Sequence, residues 1–128
     1  MLTDRLSQDL YSEICHIPLI DVHSHLDPRR PAARNLDDIL GYHYYTELAH
    51  SVGMDKESLG SDVAPRDRVR AVLYQMGQFD NTAQYLWFVE IARAFLNFQG
   101  ERLTLADCNW LCDTAEKLMA RQIGRAHV

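Results

Sequence analysis

One short stretch constrains this chain more than any other. Residues 18–28 read PLIDVHSHLDP, and Ile17, Leu19, Ile20, Val22 and Leu26 leave little polar surface on either side of it. That pattern predicts a strand over 17–26 buried on both faces. It is the only good strand pattern in the sequence, and the rest reads as mostly helical, with a DPRRP loop and a polar stretch, DKESLGSD, between helices. A lone strand has unpaired backbone edges and is not stable in isolation, so such a strand calls for sheet partners.

The helices read clearly. Thr3 and Asp4 open a short amphipathic helix carrying Leu6, Leu10 and Ile14. Asn35, with Asp38 three residues on, predicts a helix running to Ser51 and stopped by Gly53, with Gly41 as its weak point. Pro65 sits at the first turn of a helix bearing Val69, Val72, Leu73 and Met76 and ending at Gly77. The segment NTAQYLWFVEIARAFLNFQG begins at the capping candidates Asn81 and Thr82. It is expected to bury Tyr85, Leu86, Val89, Ala92, Phe95 and Leu96 and to stop at Gly100. Thr104 with Asp107 opens a last helix through Leu105, Cys108, Leu111, Ala115, Leu118 and Met119.

Composition narrows the class of function. The 128 residues are 47% hydrophobic and 24% charged, as in an ordinary globular protein, and the formal charge is −5. The arginines of RRPAAR and RDRVR are offset by nearby acids, so no basic stripe marks nucleic acid as a partner. The N-terminus MLTDRLSQDLYSEI has no long apolar core, which argues against a signal peptide or a spanning helix and points to the cytoplasm. Cys15, Cys108 and Cys112 are an odd number without framework spacing, as in a reduced compartment. Cys108 and Cys112 lie in an apolar row and read as core.

Chemistry is concentrated in DVHSH. In a strand, Asp21, His23 and His25 point to one face while Val22 and Ser24 point to the other. Two neutral imidazoles so placed present ring nitrogens to one cation of the zinc type, with Asp21 as an acceptor behind them. The alternative is a pair of polar residues at a strand end, bonded to backbone or water. In parallel sheets and barrels, the C-terminal end of a strand is where ligands bind.

IDVHSHLDP resembles the first-strand signature of the amidohydrolase superfamily, metal-dependent enzymes on a (β/α)8 TIM barrel. TatD-type deoxyribonucleases and dihydroxybenzoate decarboxylase relatives share that signature. The long helical stretch after it, about 35–121, is similar to the insertion of the uronate (glucuronate) isomerase family. NLDDILGYHYYTELAHSVG resembles that family's N-L-x-x-(I/L)-x-x-x-H-Y segment, and the likeness continues through NTAQYLWFVEIARAFLNFQG and LTLADCNWLCDTAEKLM. Where the family carries Lys-Trp-Arg after His-Tyr, this chain has Tyr45, Thr46 and Glu47.

The resemblance implies an α/β fold in which residues 1–122 are the N-terminal part of a barrel, mostly helical as it stands. It implies His23 and His25 as ligands of a divalent metal, expected to be zinc, with Asp21 supporting them. His43 is implied to be a catalytic residue, although a histidine among Tyr42, Tyr44 and Tyr45 is also an ordinary packed or surface residue. The implied reaction is aldose–ketose isomerisation of a hexuronate, a small sugar acid.

A complete barrel takes about 250 residues, so the chain is expected to be a fragment that is inactive alone. The tail IGRAHV can be encoded by ATC GGA AGA GCA CAC GTC before a TGA stop. That string resembles a sequencing-library adapter, so residues 123–128 are expected to be non-native. Two other classes remain open: a metal-dependent hydrolase of the same superfamily, and a helical interaction module with structural histidines.

Overall fold

The computed structural model describes residues 5–18, 20, 29 and 32–123, and among these the regular structure is all helical. The chain forms two compact units, Met1–Pro31 and Ala32–Val128. In the first, α1 (Arg5–Cys15) is the amphipathic helix expected from Leu6, Leu10 and Ile14, and all three side chains are more than half exposed. Ile17, Pro18 and Ile20 carry neither helix nor strand. The remainder of the strand expected over 17–26 lies outside the described residues, as does the tail from 124 onward.

The second unit is built on α2 (Asp37–Leu40), α3 (His43–Ser51), α4 (Pro65–Met76), α5 (Ala83–Leu96) and α6 (Cys108–Ile123). Short 3-10 turns lie at Lys56–Leu59 and Leu105–Asp107. The sequence pattern predicts one helix from 35 to 51, whereas two are observed. Asn35 does cap as expected, its Oδ1 accepting from the Asp38 N–H at 3.0 Å. At Gly41 the backbone N–H closes onto Asp37 O at 2.7 Å, and Tyr42 then turns extended, with ψ 140°. A Cβ at Gly41 would lie 2.6 Å from that carbonyl, so this break needs glycine.

The other helix starts follow the coded signals. Pro65 occupies the first turn of α4, where its missing N–H costs nothing. Thr82 caps α5 by accepting from the Tyr85 N–H at 3.3 Å. Thr104 and Asp107 form a capping box leading into α6. The stop of α5 differs from expectation, falling at Asn97 rather than Gly100. Asn97 adopts the left-handed conformation, with φ 59°, and the Phe98 N–H reaches back to Ala92 O at 3.1 Å. Phe98 is thereby drawn into the core, which outweighs another turn of helix. Gly100 has a different use: a Cβ there would lie 2.5 Å from the Phe98 ring.

Around α4, which packs against α2, α3 and α6, one continuous apolar core forms. Its fully buried members include Leu36, Leu40, Leu73, Met76, Phe88 and Leu111. The expected burial of Leu86 and Phe95 is not observed; Phe88 is buried in their place. The stripe 85, 88, 89, 92, 96 runs along one side of α5, and residues 86 and 95 fall off it at 100° per residue. Leu105 is likewise exposed, because it belongs to the 3-10 turn ahead of α6. Among the described residues, no helix is long and apolar enough to cross a membrane.

Candidate functional site

The proposed metal pair, His23 and His25, and its supporting acid Asp21 lie outside the described residues, within the first unit. His43 belongs to the second unit and is the first residue of α3. The sequence places it there for a local reason. Gly41 ends α2, extended Tyr42 redirects the backbone, and the new helix begins with the imidazole on its exposed side.

His43 is held in an aromatic stack. Its ring centroid is 4.3 Å from Tyr42, at an interplanar angle of 47°, and 4.3 Å from Tyr44, at 63°. Tyr42 and Tyr44 meet edge-on at 5.0 Å. Burial, and secondarily the neighbouring Tyr44, holds the Tyr42 hydroxyl above the usual phenol range, so it stays a neutral donor. Next in the chain, Tyr45 turns inward to the core and packs against Phe88 at 6.0 Å. The segment Tyr42–Tyr45 therefore alternates between a stack around His43 and an anchor beneath it. Such an arrangement can fix an imidazole near the surface for proton exchange with a bound molecule.

Under this segment lies a clamp that short-range sequence reading misses. Arg68 of α4 donates from Nε to Asp37 Oδ1 at 3.0 Å and from Nη2 to Oδ2 at 2.5 Å. Its Nη1 donates to Val63 O at 2.6 Å. One guanidinium thus ties α2 and the loop before α4 to α4 itself. Asp37 and Arg68 are 31 residues apart, so no helical spacing links them. A bare acid in NLDD and a bare Arg in RDRVR are all the signal there is.

Cys108 and Cys112 are both buried, and burial, then the neighbouring Cys108, pushes the Cys112 thiol up to about 12. A thiol so held is neutral at ordinary pH and unsuited to ligate a metal or attack a substrate. Among the described residues, no three His, Cys, Asp or Glu side chains converge as a metal-binding group. No protein-family model matches the chain, and no curated protein matches it.

Proposed function

We propose that this chain is the front part of a divalent-metal-dependent sugar-acid isomerase. The parent enzyme would interconvert a hexuronate aldose and ketose, of the glucuronate-to-fructuronate type, in the cytoplasm. Residues 17–26 would be the first strand of its (β/α)8 barrel and residues 35–121 a helical insertion. The observation that carries this reading is the D-x-H-x-H spacing of Asp21, His23 and His25 at the C-terminal end of a doubly apolar strand pattern. The segment NLDDILGYHYY, which follows it and sets His43 at the head of α3, supports the same reading.

The donor set fits a zinc-type ion. Two neutral imidazoles are borderline donors suited to it, and a carboxylate two residues earlier can accept a ring N–H and fix the tautomer that leaves the other nitrogen free. A cation bound there would supply electrostatic stabilisation of the charge that develops when the proton alpha to the carbonyl leaves. His43 would then accept or return a proton at one of its ring nitrogens, steadied by the rings of Tyr42 and Tyr44. Two histidines do not complete a zinc site, and further ligands would come from later strands. The chain as it stands is accordingly expected to be inactive.

The test is to express the longer reading frame that contains this segment and to assay it with glucuronate and with ester and phosphodiester substrates, zinc being supplied. Isomerisation of the uronate, lost in His25→Gln, is the expected result. Turnover of only the hydrolytic substrates would reject the isomerase in favour of a metal-activated-water hydrolase. A native stop after Val128, together with a compact metal-free product, would favour a helical interaction module.

A further inference from the structure

Helix α4 carries one buried residue that core packing does not account for. Its other buried side chains, Val69, Val72, Leu73 and Met76, are apolar, whereas Gln75 is 8% exposed and is the one buried polar side chain among the described residues. Gln75 Oε1 accepts from Gln78 Nε2 at 2.5 Å, but Gln75 Nε2 bonds to no protein group. Among the described residues, no fully enclosed side-chain nitrogen or oxygen lacks a partner, so this N–H donor must reach open space. Gln75 lines a cleft of about 320 Å³. A polar group held this deep is normally satisfied, and here its missing partner has to come from whatever fills the cleft.

The other groups around the cleft are also available to a ligand. Asp67, Arg70 and Tyr74 follow at three- and four-residue spacing along one side of α4, opposite its core stripe, and Asp55 and Ser58 come from the segment after α3. Among the described residues, the side chains of Asp55, Ser58, Asp67 and Tyr74 make no hydrogen bond or ion pair. Arg70 makes one bond, from Nη2 to Asn109 Oδ1 at 3.2 Å, which leaves the rest of its guanidinium fork free. Tyr74 is 68% exposed, so its ring offers a flat apolar platform at the cleft.

We propose that this cleft binds a neutral monosaccharide ring. The balance of donors and acceptors selects that chemistry. Two carboxylates only accept, the guanidinium and the Gln75 N–H only donate, and the Ser58 and Tyr74 hydroxyls do both. A cation would satisfy the acids but meet Arg70, and an anion would satisfy Arg70 and Gln75 but meet Asp55 and Asp67. A ring bearing several hydroxyl groups serves both sets, because each hydroxyl donates and accepts, while its C–H face lies on the Tyr74 ring. The cleft is at the small end of the range of ligand pockets, about 300–1,000 Å³, as suits a single ring. This site uses none of Asp21, His23, His25 and His43, and it differs from the proposed reaction in disfavouring a sugar acid.

Titration of the full chain with glucose, galactose and mannose, followed by nuclear magnetic resonance of the α4 backbone amides, tests this. A chelator present throughout keeps any cation at His23 and His25 out of the readout. At least one of the three hexoses is expected to saturate with a Kd on the order of 1 mM, and glucuronate and spermidine to bind at least about tenfold more weakly. Tyr74→Ala, Arg70→Ala and Gln75→Met should each weaken the hexose about tenfold, whereas Tyr74→Phe, which keeps the ring, should stay within about threefold. Tyr74 and Arg70 are exposed, so their variants should keep the helical circular dichroism and carry the test by themselves if Gln75→Met does not fold. No saturable shift with any of the three hexoses would overturn the proposal. So would hexose binding unchanged in Tyr74→Ala, or glucuronate binding tighter than the hexoses. Spermidine binding that strengthens in Arg70→Ala would assign the cleft to a cation instead.

Discussion

At the scale of single residues, side chains that join distant parts of the chain matter more to this unit than its many surface ion pairs. Arg68 and Asp37 are 20% and 14% exposed, and the guanidinium also satisfies the carbonyl of Val63. Replacing Arg68 with Met should cost about 2 kcal/mol in urea unfolding, because it strands a part-buried carboxylate and frees a backbone acceptor. The pair Asp37→Asn/Arg68→Met should cost less than Arg68→Met alone, since no lone charge remains; equal or larger losses would remove the clamp from the account. The buried cysteines give a second test. With its thiol pushed up to about 12 by burial, Cys112 keeps its proton in the folded state after the unfolded chain has lost it near pH 9. The unfolded state then binds fewer protons, so this contribution to stability is full below about pH 9 and is lost as the pH climbs towards 12. Cys112→Ala should flatten the alkaline fall in melting temperature, and a thiol reagent on the native chain at pH 8 should titrate exposed Cys15 quickly and the buried pair only on unfolding. The sequence told that Cys108 and Cys112 are core, because the apolar row around them is local. It was silent on Arg68, whose partner is placed by tertiary packing.

At the scale of elements, helix starts were legible and two helix breaks were not. Thr82 and Thr104 act through bonds spanning three residues and Pro65 through its own fixed φ and missing N–H, so their meaning is contained in the sequence window that carries them. Thr104→Ala should lower stability by about 1 kcal/mol by opening the capping box with Asp107. The stop of α5 at Asn97 is decided instead by where Phe98 can be buried, against Trp110 of α6 at a ring distance of 6.1 Å. Gly100 looked like a cap because glycine does end helices, yet its absent side chain serves the Phe98 ring. Asn97→Ala should therefore cost about 1–2 kcal/mol in thermal or urea unfolding, the penalty of a left-handed residue with a Cβ and no polar side chain. Gly100→Ala should cost stability too, and its partial rescue by Phe98→Leu, which withdraws the ring, would separate a steric cause from a helix-capping one. The division of the predicted 35–51 helix at Gly41 has a like origin. A glycine within a helical pattern signals weakness but not direction, and here the break is what brings Tyr45 into the core and leaves His43 at the head of α3.

At the scale of the whole molecule, the proposed ligands and the proposed proton carrier fall in different compact units. His23 and His25 belong to Met1–Pro31, and His43 belongs to Ala32–Val128. The second unit owes its cohesion to apolar side chains gathered around α4, with no metal-binding group among its described residues. Metal binding and folding of this unit should therefore be separable in the chain as it is. Titration with zinc should show binding that is weak, for want of a third protein ligand, and that falls at least tenfold in His25→Gln. His43→Gln should leave that affinity within about twofold, since the proposal gives His43 a proton to carry and no ligand role. Addition of a chelator, or the change His23→Gln/His25→Gln, should leave the helical signal and the melting temperature of the main transition unchanged. A melting temperature that drops several degrees on chelation would mean that a cation holds the helices together. The imidazole pair would then be part of the fold's own scaffold, and the case for a catalytic metal completed by later strands would lose its main support, because the site would already be serving this chain alone.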